Sequence, residues 1–148
     1  MKDEAFSYVS PLGAVSYRWD GKVCRAVHLL AAAASAPRGH DPVRAWLDAY
    51  FAGGSAPLPR LAEPRSPFQS AMRAALLAIP FGETRSYGEI AASLGTAPRA
   101  MGQALGANPL PLLIPCHRVV AAHGPGGFSC GPEWKRRLLA FESGSTGL

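Results

Sequence analysis

Cysteine is scarce in this chain: three in 148 residues, at positions 24, 116 and 130. An odd and scattered set builds no disulfide framework and suits a reducing compartment, where a free thiol persists. Long apolar runs are missing too, and nothing approaches the roughly 18 residues of a membrane span. Met1-Lys2-Asp3-Glu4 does not read as a secretory signal. From these absences we expect an intracellular, cytoplasmic protein with no membrane partner. Strong charge of one sign is also lacking. The net charge is +5, divided as +2 over residues 1–65 and +3 over 66–148. So mild and dispersed an excess fits a polyanion partner without specifying one. What is plentiful is apolar content, at 48%, enough to build a core for one domain or two small ones.

Residues 1–30 read as β structure. Tyr8-Val9, a turn at Pro11-Leu12-Gly13 and residues 14–19 form a hairpin, and Asp20-Gly21 turns the chain into 23–30. Asp41-Pro42 then supplies a helix cap and first-turn proline, with Val43, Trp46, Leu47 and Tyr50 as the apolar stripe. Glycine and proline recur from Gly53 to Pro64. We therefore expect an α/β N-terminal domain with a small antiparallel sheet over 1–58 and a linker at 59–65. A mostly helical, winged helix-turn-helix-like domain would follow over 66–148.

The second half is well punctuated. Ser66-Pro67-Phe68-Gln69 predicts a capping box, with Phe68, Met72, Leu76 and Ile79 on one face. Ser86-x-x-Glu89 predicts another. Gly95 ends that short helix, and Thr96 is expected to cap the next. Two short helices about a glycine read as a helix-turn-helix. On its second helix Met101 and Leu105 face inward. Arg99, Gly102, Gln103 and Gly106 lie opposite. Glycine weakens a helix by about 1 kcal/mol relative to alanine, so something approaches this face closely: another helix, or DNA. Gly131-Pro132 starts a last helix with Trp134, Leu138 and Phe141 on its apolar side.

The chemistry centres on Ile114-Pro115-Cys116-His117-Arg118-Val119, at the end of the apolar run 110–114. A thiolate is the nucleophilic form of cysteine, and neighbouring histidine or arginine favours it. In an extended segment adjacent side chains point apart. His117 therefore acts on Cys116 only if a turn follows Pro115 or a water bridges the two. Glu142, near the core side of the last helix, is the candidate to orient His117. A solvated glutamate at a helix end is the other reading.

These residues, in order with Ile79-Pro80-Phe81-Gly82-Glu83-Thr84, Ser86-Tyr87-Gly88, Asn108-Pro109 and residues 135–142, resemble the O6-alkylguanine-DNA alkyltransferases. The resemblance spans about 68–142 and extends more loosely to Ser10-Pro11-Leu12-Gly13. It implies repair of DNA by irreversible transfer of an alkyl group from O6-alkylguanine, and from O4-alkylthymine, to Cys116, once per molecule. A non-catalytic alkylated-DNA binding protein of the same fold is the alternative. By position, Cys116 would accept the alkyl group, and His117, Glu142 and a water would maintain its thiolate. Tyr87 would protonate the leaving base, and Asn108 would brace the turn before the active-site strand. Arg99 would enter the duplex in place of the flipped nucleotide. Tyr87, Ala100, Gly102, Gln103 and Arg118 would join it in contacting the minor groove of double-stranded DNA. Val119, Phe128, Ser129 and Cys130 would line the alkyl pocket. Lys135 falls at a family lysine position, though Lys135-Arg136-Arg137 also reads as a solvated basic face. The resemblance implies a monomer with no cofactor; some members of the family hold zinc in the N-terminal domain, but too few ligands stand there in this chain and we expect no metal.

Two departures stand out. Phe128 replaces the family's usual tyrosine, and Cys130 takes the place of a glycine. Cys24 and His28 would share a face of a regular strand, but a zinc site needs about four ligands and only His40 is otherwise at hand. Core packing is the preferred reading. A thiol hydrolase lacks an oxyanion arrangement, and a plain helix-turn-helix regulator leaves the relay residues as coincidence.

Overall fold

Alternating side chains in the first thirty residues give strands, and the turn residues between them fix their pairing. In the computed structural model, which describes residues 4–30, 36–121 and 131–144, β1 (Glu4–Ser10), β2 (Gly13–Trp19) and β3 (Cys24–Leu30) form an antiparallel sheet in that order. The Ser10 hydroxyl accepts from the Leu12 and Gly13 amides at 3.1 Å each and donates to the Gly13 carbonyl at 2.6 Å. That pins the first hairpin. Asp20 accepts from the Lys22 and Val23 amides at 2.8 and 2.9 Å, while Gly21 takes φ 94, a left-handed angle that favours glycine.

Helix α1 (Pro42–Phe51) opens on Asp41, which accepts from the Arg44 amide. It buries Val43, Leu47 and Tyr50, while Trp46 is half-buried and stacks on Tyr50 with ring centroids 5.1 Å apart. Tyr17 donates to Asp41 and Tyr8 to Asp48, both at 2.7 Å, tying the sheet to both ends of the helix. Gly39 is required there, because a β-carbon would collide with the Tyr17 hydroxyl and the Asp41 carboxylate. Residues 60–62, expected in the linker, bond to β3: the Cys24 amide donates to Arg60 and the Ala62 amide to Cys24. The chain divides into two compact units, 1–63 and 64–148.

The second unit holds α2 (Pro67–Leu77), β4 (Arg85–Ser86), α3 (Tyr87–Ser93), α4 (Pro98–Gly106), β5 (Val119–Val120) and α5 (Pro132–Glu142). β4 and β5 pair in parallel. Met72, Leu76, Ile90, Met101, Leu105, Leu110 and Leu138 form its core. The architecture is the expected one: a small antiparallel sheet with a helix, then a mostly helical unit with α3 and α4 as the helix-turn-helix.

Local expectations need three corrections. Ser66 caps α2 by accepting from the Gln69 amide, but Gln69 returns its side chain to the Arg65 amide at 2.8 Å, so this is not a reciprocal box. The Ser86–Glu89 box is complete. Thr96 does not cap α4. The N-cap is Ala97, with no side-chain bond, because Thr96 still belongs to the turn, its amide donating to the Ala91 carbonyl. Third, Cys24 is buried and His28 exposed. The register shift opposite Arg18 and Trp19 inserts an extra residue into β3 and breaks the alternation that would have put both on one face.

Candidate active site

The apolar run before Cys116 is as buried as its composition demands: Leu110, Leu112, Leu113 and Ile114 are each nearly inaccessible. A tight loop makes this possible. The Ile114 amide donates to the Leu110 carbonyl at 2.9 Å, and Leu112 at its centre takes φ 77, the one positive φ outside glycine among the described residues. For a bulky side chain that conformation costs about 1–3 kcal/mol. Asn108, itself buried, holds the ends of the loop. Its side-chain amide donates to the Ile114 carbonyl at 3.1 Å and its side-chain oxygen accepts from the Leu110 amide at 3.0 Å.

Pro115, at φ −77 and ψ 65, makes an inverse γ-turn. The Cys116 amide donates to the same Ile114 carbonyl at 2.7 Å. A single turn of 3-10 helix, Cys116–Arg118, follows and leads into β5. The turn that His117 needs after Pro115 is therefore present.

His117 and Glu142 meet in the interior. The imidazole Nε2 lies 2.6 Å from Glu142 Oε2, with side chains 0% and 2% exposed. Burial holds the His117 pKa below its ordinary value, against the Glu142 hydrogen bond and charge, which raise it, while Arg118 and Lys135 add to the lowering. A neutral imidazole results, able to take a proton. The solvated reading of Glu142 is excluded by its burial.

Arg118 departs from expectation. Read as a DNA contact, it instead grips Glu142 with Nε on Oε1 at 2.8 Å and Nη2 on Oε2 at 3.1 Å, and donates through Nη1 to the Ile79 carbonyl at 2.7 Å. A carboxylate buried this deeply needs a charge partner, and a bidentate arginine suits it best. That need outweighs a place on the surface.

Lys135 is the residue that sequence reasoning left undecided. It is 0% exposed, donates to the Val119 carbonyl at 2.7 Å, and lies 3.4 Å from the Tyr87 hydroxyl. Burial lowers its pKa to about 8, opposed by the charge of Cys116. The signal was present: Lys135, Leu138 and Glu142 follow helical spacing, which puts them on one face of α5, whereas Arg136 and Arg137 pair with Glu133 at the surface. Tyr87 is brought to this ammonium by its place at the first turn of α3.

On α4, Arg99, Ala100, Gln103 and Gly106 are exposed and Gly102 half-buried. A β-carbon added at Gly102 or Gly106 would meet nothing within 4 Å. Packing inside the chain therefore does not demand these glycines, and of the two readings the close helix neighbour is withdrawn. Val119 is fully buried. Phe128, Ser129 and Cys130 lie outside the described residues. No described helix is long and apolar enough to cross a membrane.

Comparison with known proteins identifies the family to which this fold belongs. A family model for the 6-O-methylguanine DNA methyltransferase DNA-binding domain matches residues 67–144. A methylated-DNA–protein-cysteine methyltransferase of Saccharolobus solfataricus is 47% identical over 100 residues, 65% of this chain and 64% of that protein. One from Methanocaldococcus vulcanius is 61% identical over 64 residues, 43% of this chain and 40% of its own. The chain thus matches less than two thirds of the length of these curated relatives. The crystal structure of Mycobacterium tuberculosis O6-methylguanine methyltransferase superposes with a TM-score of 0.82 at 34% identity, covering 98% of this chain and 95% of that one. The M. tuberculosis OGT in complex with DNA gives 0.80 at 36%, covering 95% and 93%. With its second unit matched almost end to end and nearly its whole length shared with these structures, the chain belongs to the O6-methylguanine-DNA methyltransferase family.

Proposed function

We propose that this protein repairs alkylated DNA by moving the alkyl group from O6 of guanine, or O4 of thymine, onto Cys116, once per molecule. The buried His117–Glu142 pair carries the reading. A neutral imidazole held by a carboxylate beside the cysteine is what a thiol needs to lose its proton in a dry interior. His117 takes that proton through a water, and Glu142, clamped by Arg118, steadies the imidazolium. The thiolate attacks the alkyl carbon, the S–C bond forms as the C–O6 bond breaks, and the base leaves with the electron pair. Tyr87 donates a proton to it, with the Lys135 ammonium beside the hydroxyl to offset the charge. The thioether has no good leaving group, so the reaction stops there.

The open face of α4 supports a DNA-facing role. Arg99, Ala100, Gly102 and Gln103 form a thin surface on which a duplex can approach the helix backbone through its minor groove. Arg99 fills the stack when the damaged nucleotide turns out, a step that costs a few kcal/mol of unstacking and unpairing. The protein acts as a monomer and needs no cofactor. The deciding experiment incubates it with excess O6-methylguanine duplex and weighs the intact protein and its peptides. One methyl on Cys116 and no further turnover is expected. Continued turnover, or the label on Cys24, overturns the reading.

A further inference from the structure

The turn at Leu112 is filled by the wrong kind of residue for its backbone. Glycine adopts φ 77 without steric cost, and asparagine with little, yet a bulky leucine stands there, 1% exposed. What leucine supplies and glycine cannot is a side chain buried in the core. We infer that Leu112 is a positioning residue for Cys116. Its buried side chain pins a left-handed turn that would otherwise be loose, and thereby fixes the Ile114 carbonyl on which the Cys116 backbone hangs.

The connection runs through short bonds. Leu112 sits midway in the loop closed by the Ile114 amide on the Leu110 carbonyl at 2.9 Å. The Ile114 carbonyl accepts from the Cys116 amide at 2.7 Å and from the Asn108 side chain at 3.1 Å. Asn108 fixes the two ends of the loop, at Leu110 and Ile114, but it does not reach the middle. Pro111 is bridged to Ile114; beyond that bridge residues 111–113 are held by burial, and of these Leu112 is the one whose backbone leaves the ordinary region. Swinging its peptide units would rotate the Ile114 carbonyl and carry Cys116 with it. A small misplacement of a reacting group is expensive: about 1 Å can slow a reaction roughly a hundredfold.

This inference rests on Cys116 being the alkyl acceptor, so its test includes a reaction independent of DNA. In the full-length protein, alkylation of Cys116 by iodoacetamide is followed by peptide mass across a pH series. Transfer from O6-methylguanine duplex and duplex affinity are measured alongside. Leu112→Gly, which suits the backbone better than leucine, is expected to bind DNA normally. Both Cys116 reactions should nevertheless slow roughly tenfold or more, with the pH midpoint of alkylation displaced. Leu112→Met, which conserves volume, should restore both. Leu112→Ala, which truncates the side chain without β-branching at this positive φ, gives an intermediate loss and serves should the glycine variant fail to fold. Leu76→Val, trimming an equally buried leucine of α2, should lower stability and leave the Cys116 profile unmoved. Wild-type rates and midpoint in folded Leu112→Gly or Leu112→Ala overturn the inference, as does equal slowing by Leu76→Val. If wild-type protein alkylates with iodoacetamide but transfers nothing from DNA, the proposed function fails while the Leu112 comparison still stands.

Discussion

The Lys135 ammonium donates to the Val119 carbonyl at 2.7 Å from a position with no exposure to solvent. A lysine so placed keeps its charge at a cost, and burial brings its pKa down to about 8. The Cys116 thiolate is the charge that opposes this lowering, so ammonium and thiolate favour each other.

Transfer should therefore weaken as pH rises through about 8, where Lys135 loses its proton and its support for the thiolate. Lys135→Met should be slower throughout and lack that decline. The linkage has a definite sign. Above pH 8 the folded protein has released a proton that the unfolded chain keeps to about 10.4, so this group makes stability rise between those values. Urea midpoints measured across that window should show the rise in the wild type and its absence in the variant. Identical slopes would remove Lys135 from this account.

Arg118 and His117 share the Glu142 carboxylate, and the arginine charge helps keep the imidazole neutral. Arg118→Met should let His117 protonate at higher pH, moving the acid limb of the transfer profile upward. Folded His117 resists a proton that the unfolded chain accepts near pH 6.5, so stability falls as pH drops through that value. An unmoved acid limb in Arg118→Met would dissociate the arginine from the relay.

Glu142→Gln keeps an acceptor but strips the charge that Arg118 and His117 need. Breaking a buried pair costs about 3–5 kcal/mol, so the thermal transition should fall markedly and transfer should become slow. A variant as stable as the wild type would contradict the burial argument.

Asn108→Ala leaves the Leu110 amide without its side-chain partner and removes the Asn108 donor from the Ile114 carbonyl. Each buried polar group left unmade costs about 1–3 kcal/mol. The expected result is a loss of about 2 kcal/mol or more, read from urea denaturation, together with slower transfer. Loss of stability with an unchanged rate per folded molecule would confine Asn108 to a structural part.

Arg99→Ala and Tyr87→Phe separate flipping from chemistry. The first should slow repair of duplex roughly tenfold or more, since the flipped state costs a few kcal/mol, while sparing reaction with free O6-methylguanine. The second should slow both substrates, because the leaving base needs a proton in either. Equal slowing of both by Arg99→Ala would end its place in flipping.

Local chemistry along the chain set the elements and the order of the candidate reacting groups. Turn residues such as Asp20-Gly21, the Ser86–Glu89 box and proline at the first turn of helices act over a few residues, through fixed dihedrals and local bonds. They are legible without knowing what packs where. The Cys116-His117 pair and a glutamate on the inner side of α5 were legible for the same reason, since helical spacing decides which face a residue occupies. The tertiary structure alone decided the state of the charges. Whether Lys135 is a surface cation or a buried one depends on Val119, Tyr87 and Cys116, which lie far from it in the chain. Arg118 turns inward because Glu142 is buried and needs a counter-charge, a demand that exists only once α5 has packed. The bulge that separates Cys24 from His28 and the left-handed turn at Leu112 likewise follow from pairing and core burial. Regular strand alternation argued against the first and leucine's steric preference against the second, and packing overrode both.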